Sequence, residues 1–115
     1  MKMHNWSKYF PAAITVTNED GVIIDMNDVS IESYLKDGGV DLIGKNVFDC
    51  HPGQSLAKIK KLFDEKSANI YTITKNGKRK MIYQSPYFID GKFSGMVEMS
   101  LPLPDDVPHY DRDKK

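Results

Sequence analysis

One short stretch of the sequence carries side chains that could do chemistry. The segment Asp49-Cys50-His51-Pro52-Gly53 places the only cysteine of the chain beside one of its three histidines. Cysteine and histidine both bind zinc, a histidine can hold haem iron, and an activated thiol is a nucleophile. Adjacent residues do not easily direct both side chains at one ion, and further zinc ligands would have to come from His4, His109 or scattered carboxylates. We therefore predict no metal site.

A redox role for the Cys50 thiol has partial support from its position just before a predicted helix. A helix N-terminus lowers the pKa of a nearby thiol, but the sequence has no second cysteine to resolve an oxidised one. In a simpler interpretation Cys50 packs as a small apolar residue, and Asp49 or His51 caps a helix that Pro52 opens. We predict that the motif is structural and lies at the edge of a ligand pocket.

The size and charge of the chain exclude several functional classes. Its 115 residues, 40% hydrophobic and 28% charged, suit one globular domain. Sixteen basic residues balance sixteen acidic ones, so neither nucleic acid nor a membrane is expected as a partner.

The sequence has no glycine-rich phosphate loop, nucleophile elbow or recognisable triad, so we expect no enzyme. A cytoplasmic location is expected, because we find no secretion signal, long apolar run or possible internal disulfide.

Turn dipeptides divide the strand-like parts of the sequence. Residues 12–27 hold two β-branched runs separated by Asn18-Glu19-Asp20-Gly21, which is a hairpin signal. Three later strands are predicted, separated by the tight-turn dipeptides Asn76-Gly77 and Asp90-Gly91. Hairpins at both ends of the sheet imply antiparallel pairing, with helices layered over one face.

Helices are predicted before the first strand and between the two groups of strands. Residues 28–36 have apolar side chains partly at helical spacing behind Asn27 or Asp28 as a cap, and Gly38-Gly39 ends that helix. A second, longer helix follows from Pro52 onward. Its apolar stripe is Leu56, Ile59, Leu62 and Phe63.

Three segments in this order resemble a PAS sensor domain over about residues 5–103: ITVTNEDGVIIDMN, DLIGKNVFDCHP and a closing run with NGK and IDGKFSGMVEMS. The stretch GKNVFDCHPGQSLAKIKKLF is similar to the Cys-His-Pro variant of PAS domains, which occurs alone or beside hemerythrin-like domains in bacteria and archaea. The resemblance implies an α+β fold, a five-stranded antiparallel sheet of order 2-1-5-4-3, short helices over one face and an N-terminal helix.

The resemblance also implies a domain organisation and a function. We expect a helical cap at residues 1–10, the PAS-like domain at 11–103 and an extended or loose tail at 104–115. The implied function is a non-catalytic sensor that binds a small molecule between sheet and helices and passes a signal to an output protein or domain. No cofactor is required. Haem and flavin stay open as cofactors, but the Asn-Cys-Arg-Phe motif of flavin photoreceptors is absent, so no light-driven adduct is expected. The alternative functions are a haem-based redox or gas sensor that uses His51, or a ligand-free homodimerisation module.

Alternation along the strands divides their side chains into two sets, and either set could face the helices. Burial alone would direct the more apolar set inward, whereas the strand register of PAS domains directs the more polar set toward the cavity. The apolar set is Ile14, Val16, Tyr71, Ile73, Met81, Tyr83, Val97 and Met99. The polar set is Thr15, Thr17, Thr72, Ile82, Gln84, Met96, Glu98 and Ser100.

If the polar set faces the cavity, a small polar ligand or water is favoured, because a buried Glu98 needs hydrogen-bond partners. Alternatively, Glu98 is solvated or pairs with a lysine. The predicted ligand-binding residues are Thr17, Phe48, Cys50, His51, Ile59, Ile82, Gln84, Met96, Glu98 and Ser100.

The apolar set would then need another cover, and large exposed apolar patches usually mark interfaces. The leading helix could cover part of this face and a second copy of the chain the rest. We therefore expect a homodimer whose interface includes Trp6, Tyr9, Phe10, Tyr83 and Val97.

Overall fold

The computed structural model describes residues 5–50 and 53–114. Five strands form one sheet in the order β2-β1-β5-β4-β3, and every neighbouring pair is antiparallel. This is the predicted α+β arrangement. In chain order the elements are α1 (Trp6–Tyr9), β1 (Ala13–Thr17), β2 (Ile23–Met26), α2 (Asp28–Ser33), 3-10 turns at Leu35–Asp37 and Gly39–Leu42, α3 (Gly53–Glu65), β3 (Asn69–Lys75), β4 (Lys78–Ile89) and β5 (Lys92–Pro102).

The predicted turns join the strands as expected from their residue types. In the first hairpin the Asn18 side chain accepts hydrogen bonds from the amides of Asp20 and Val22. In the last two hairpins Asn76-Gly77 and Asp90-Gly91 have positive φ at both residues, which is the backbone of a two-residue turn that follows the twist of the strands. These local preferences set the register of the paired strands.

Asn27 joins β1, β2 and α2 through its buried side chain. Its Oδ1 atom accepts hydrogen bonds from the amides of Ser30, as the N-cap of α2, and of Ile14 in β1. Its Nδ2 atom donates to the carbonyl oxygen of Ala12 at 2.7 Å. The fully buried Ser30 hydroxyl also hydrogen bonds with Thr15, so α2 is fixed against β1.

The apolar core lies at the β1–β2 side of the sheet. Ile23, Met26 and Leu42 are buried together, and Ile31 and Val47 pack against them. In contrast, no residue of α3 is buried, although its apolar stripe is partly covered. The long helix therefore lies over the sheet without filling the space beneath it.

The register corrects one part of the predicted division into faces. Tyr71 pairs with Ile82 and Ile73 with Lys80, so Tyr71 and Ile73 share the face of Ile82, whereas Thr72 pairs with Met81 on the opposite face. The prediction placed Tyr71 and Ile73 with the apolar set because it followed polarity. The turn at Asn76-Gly77 fixes the register instead, and a shift of one residue reverses every side chain of a strand.

One helix is shorter than the sequence pattern predicted, and residues 1–4 of the predicted N-terminal cap lie outside the described residues. The helix predicted over residues 28–36 ends at Ser33, and a 3-10 turn continues the chain to Asp37. The N-terminal helix has four residues, and its Lys8 side chain pairs with Asp28 at 2.8 Å. After Pro102 the described part of the tail, up to residue 114, contains neither helix nor strand.

Candidate functional site

A cavity of about 730 Å³ lies between one face of the sheet and the helices. Its volume falls in the range of about 300–1,000 Å³ that small-molecule sites occupy. The sheet supplies a polar wall with Thr15, Thr17, Gln84 and Glu98, next to Met96. α3 supplies an apolar wall opposite, made of Ile59, Leu62 and Phe63.

The polar wall follows from the strand register. Residues Met26, Thr15, Glu98, Gln84 and Asn69 are paired in sequence from β2 to β3, so they form one transverse row on the cavity face. Side chains that are directly opposite in neighbouring strands lie close enough to interact. A ladder of hydrogen bonds results at one end of this row.

The ladder is directed toward Glu98. The Asn69 Nδ2 atom donates to Gln84 Oε1 at 2.9 Å, and Gln84 Nε2 donates to Glu98 Oε2 at 2.7 Å. From the helical side, the Tyr34 hydroxyl donates to Glu98 Oε1 at 3.2 Å. Each oxygen of the Glu98 carboxylate thus accepts one hydrogen bond from a neutral donor.

Two tyrosines near Glu98 are held in their neutral form. Burial, followed by the nearby Glu98 carboxylate and the hydrogen bond to it, raises the pKa of Tyr34 well above its ordinary value. Burial and the same carboxylate also raise the pKa of Tyr71. Tyr34 is thus a donor to Glu98 at neutral pH, and the raised pKa extends this state above the pH at which tyrosine ordinarily ionises.

An aromatic cluster fixes the apolar wall at one end of the cavity. The ring of Phe63 in α3 packs edge-on against Phe48, with ring centroids 4.9 Å apart, and against Phe93 in β5 at 6.0 Å. Edge-on packing of this kind adds to the free energy gained from burial. Phe48, which was predicted to bind the ligand, is here a supporting residue for Phe63.

The structure brings most of the predicted ligand-binding residues together. Phe48, Ile82 and Ser100 are not among the described residues that line the cavity, and His51 lies outside the described residues. Those that do line it are Thr17, Cys50, Ile59, Gln84, Met96 and Glu98. The cavity therefore lies against the polar set, as the strand register of PAS domains implied, although Val97 of the apolar set also contributes.

Several residues of the cavity wall were not predicted from the sequence. Tyr34 was assigned only as an apolar position of a helix, but its hydroxyl reaches Glu98 across 64 residues of chain. Asp37, Lys45 and Asp49 add charged groups to the wall. Asp37 ends a short 3-10 turn and the other two lie in irregular segments, so no hydrophobic period indicates which way these side chains point.

The residues of the predicted dimer interface are mostly exposed. Trp6 and Tyr9 are 58% and 73% exposed, so the leading helix does not bury them against the sheet of its own chain. Phe10 and Tyr83 are 39% and 40% exposed, whereas Val97 is partly buried. The outer face keeps further exposed apolar area at Ile70.

The described part of the chain holds neither a metal-binding cluster nor a membrane-spanning helix. Within residues 5–50 and 53–114, no three side chains of histidine, cysteine, aspartate or glutamate are grouped to hold a metal ion. In the same ranges, no helix has both the length and the apolar character needed to cross a membrane.

Comparisons with known proteins give matches only among solved structures. No protein-family model matches the chain, and no curated protein does. The C-terminal domain of a Streptococcus mutans protein aligns with a TM-score of 0.72 and 21% identity, covering 89% of this chain and 90% of that one. The Aer2 receptor of Vibrio cholerae is described as a dual PAS-heme oxygen sensor. It aligns with a TM-score of 0.62 and 12% identity, covering 81% of this chain and 95% of that one.

A third structure, the PAS domain of BvgS from Bordetella pertussis, aligns with a TM-score of 0.60 and 17% identity, covering 87% of this chain and 82% of that one. The strand order, the helices over one face and these alignments show that the chain has the PAS fold. The identification with the Cys-His-Pro variant stays a prediction, because His51 and Pro52 lie outside the described residues.

Proposed function

We propose that this PAS domain is a sensory module that binds a small molecule in the cavity between its sheet and α3. The cavity carries the proposal: it is large enough for a metabolite, and it has one polar and one apolar wall. Ligand sites are usually apolar with a few placed polar groups, and here Glu98 and Gln84 are those groups. The module is non-catalytic and signals to an output protein in a prokaryotic cytoplasm.

A ligand can produce a signal only if it binds one arrangement of the protein better than another. α3 is suited to such a response because it contributes a wall of the cavity but contains no buried residue. Phe63 connects α3 to β5 through its contact with Phe93. Occupation of the cavity would thus bias the position of α3 and the aromatic residues packed on it.

A cavity-filling substitution tests ligand binding. In Ile59→Trp a larger side chain enters the cavity from α3, where no residue is tightly packed. We expect metabolites that raise the Tm of the wild-type protein in a library screen to bind this variant at least about tenfold more weakly, because the ligand loses its space. The measurement is a thermal-shift screen followed by titration calorimetry.

Lys60→Trp is the matched control, because Lys60 is exposed on α3 and lies outside the described cavity lining. It should respond to the same compounds as the wild-type protein. The proposal fails if no compound stabilises the wild-type protein, or if Ile59→Trp responds as strongly as Lys60→Trp.

Haem is the alternative ligand, since the similar Aer2 receptor is described as a haem sensor. Its predicted ligand His51 lies outside the described residues, and the described cavity wall contains no histidine. That wall also carries Glu98 and Gln84, which do not suit an apolar porphyrin. A visible absorption spectrum of freshly purified protein separates the cases: a Soret band supports haem, a flavin spectrum supports flavin, and colourless protein supports a metabolite.

We further propose a homodimer formed through the exposed aromatic residues of α1 and the outer sheet face. Trp6 packs edge-on against Phe10 with ring centroids 5.7 Å apart, and both remain accessible to a second copy. Tyrosine and tryptophan residues often dominate interface energies, and truncating a dominant one costs about 2 kcal/mol or more. Trp6→Ala should therefore raise the dimer Kd by roughly thirtyfold, measured by sedimentation equilibrium.

Tyr110→Ala provides the control for the dimer. Tyr110 is 70% exposed and lies in the tail, outside the proposed interface, so its removal should leave the Kd unchanged. A wild-type protein that remains monomeric at high concentration, or a Trp6→Ala variant that dimerises normally, would exclude this interface.

A further inference from the structure

The hydrogen bonds at Glu98 leave the polar wall rich in acceptors. A carboxylate has about four lone-pair positions on its two oxygens, and Tyr34 and Gln84 each take one. Asn69 binds the Gln84 carbonyl, so the amide of Gln84 is oriented with its nitrogen toward Glu98. The ladder thus concentrates neutral donors on one carboxylate and leaves that carboxylate able to accept more.

The negative charge of Glu98 is not matched by a basic side chain. Among the residues that the structure describes, the ion pairs are Lys8 with Asp28 and Lys61 with Glu65, and neither involves Glu98. The charged groups of the described cavity wall are Asp37, Asp49 and Glu98 against the single ammonium of Lys45. The field in the cavity therefore favours a positive charge.

Aromatic rings beside Glu98 favour the same charge. Tyr34 contacts the carboxylate directly, and Tyr71 lies on the same face of the sheet, paired with Ile82. The ammonium of Lys58 in α3 lies 5.6 Å from the centroid of the Tyr71 ring, which is the geometry of a cation–π contact. The chain itself thus places a cation, the Lys58 ammonium, against the Tyr71 ring.

The opposite wall of the cavity indicates the polarity of the part of the ligand that would contact α3. Ile59, Leu62 and Phe63 of α3 face the cavity with apolar groups only, and Met96 adds a polarizable side chain from the sheet. A ligand that satisfies both walls has an apolar or aromatic body and a head group that donates hydrogen bonds.

We propose that the cavity selects a small organic cation, with an apolar or aromatic body against α3 and a positively charged N–H donor group bound to Glu98. This inference rests on the proposed ligand-binding function and adds the charge and the polarity of the ligand. It assigns to Glu98 the role of the residue that determines specificity.

Three compounds of nearly equal shape test the charge directly: benzamidine is cationic, benzamide is neutral and benzoate is anionic. Each is titrated into ¹⁵N-labelled protein, and the chemical shifts of cavity residues are followed by NMR. Benzamidine should bind at least about tenfold more tightly than benzoate, as expected for a hydrogen bond to a charged group. In Glu98→Gln the ratio should fall to about one, because the charge is removed at nearly constant shape.

Glu32→Gln is the matched control, since Glu32 is exposed on α2 and lies outside the described lining. It should keep the preference for benzamidine. If benzoate binds the wild-type protein as well as benzamidine does, or if the preference survives in Glu98→Gln, the cation proposal is wrong while the binding cavity stands. If none of the three compounds shifts any cavity residue, the cation proposal is wrong, and the thermal-shift screen described above decides separately whether the cavity binds a ligand. The wild-type comparison decides the question even if Glu98→Gln does not fold.

Discussion

Replacing Gly95 with alanine is expected to lower the free energy of unfolding by roughly 3–5 kcal/mol. Gly95 is buried in β5 with φ +144°, a conformation that L residues rarely adopt. A Cβ atom there would overlap the backbone of β1 and the following turn, with Thr17 C at 2.8 Å and Asn18 C at 2.9 Å. Backbone atoms cannot rotate away as a flexible side chain can, so β5 would have to separate from β1.

The contacts around Gly95 explain why this separation costs so much. The Thr17 hydroxyl accepts a hydrogen bond from the amide of Met96 at 3.1 Å, and the Tyr87 hydroxyl donates to the Thr17 carbonyl at 2.9 Å. Both bonds depend on the close approach that glycine permits. Domains of this size are stabilised by only about 5–15 kcal/mol in total, so the loss would remove a large share.

Gly44→Ala separates steric overlap from backbone strain. Gly44 also has a positive φ, +97°, but a Cβ atom there meets no other atom within 4 Å. Its replacement should cost about 1–3 kcal/mol from the backbone conformation alone. Urea unfolding of both variants provides the measurement, and equal losses of stability would show that the close approach at Gly95 is not important.

Asn27→Ala is expected to cost roughly 2–4 kcal/mol of stability, since loss of the cap (about 1 kcal/mol) is combined with unsatisfied buried groups. The Asn27 side chain is only 4% exposed and bonds the amides of Ile14 and Ser30 and the carbonyl of Ala12. Alanine cannot bond any of these groups, and water cannot easily reach them. Urea unfolding again measures the loss.

The control for Asn27 is Asn5→Ala, the same substitution at the exposed N-cap of α1. There the only described side-chain bond is from the Ser7 hydroxyl to Asn5 Oδ1 at 3.2 Å. This change should alter stability by less than about 0.5 kcal/mol. A similar loss in both variants would mean that the bonds across β1 and α2 add nothing beyond local capping.

The turns could be predicted because short-range signals determine them, whereas the strand order was implied by the resemblance to PAS domains. Asn76-Gly77 and Asp90-Gly91 favour two-residue turns by their own backbone preferences, and Asn18 forms its hairpin turn by side-chain bonds to nearby amides. The prediction assigned the side chains of β3 to the wrong faces of the sheet, because Tyr71 and Ile73 are apolar but lie on the cavity face. In this protein the apolar side chains of the edge strand β3 lie on both faces of the sheet, so polarity alone does not determine which face a side chain occupies.

The polar half of the site was predictable in part. Gln84, Met96 and Glu98 were assigned to the cavity face by alternation and by the PAS register, and they line the cavity. The partner of Glu98 was not found, because Tyr34 lies in a different segment and only the folded chain brings the two together. The length of α2 was overestimated, since the apolar spacing continues beyond the point where the helical backbone ends.

The absence of any fully buried side chain in α3 has a consequence for exchange between the cavity and solvent. Lifting this helix exposes little apolar surface compared with parting β1 from β5, where Gly95 and Thr17 are buried. Partial detachment of α3 therefore costs less free energy than separation of β1 from β5. Under the proposed function, a ligand would therefore enter and leave the cavity beside α3 while the five strands stay paired.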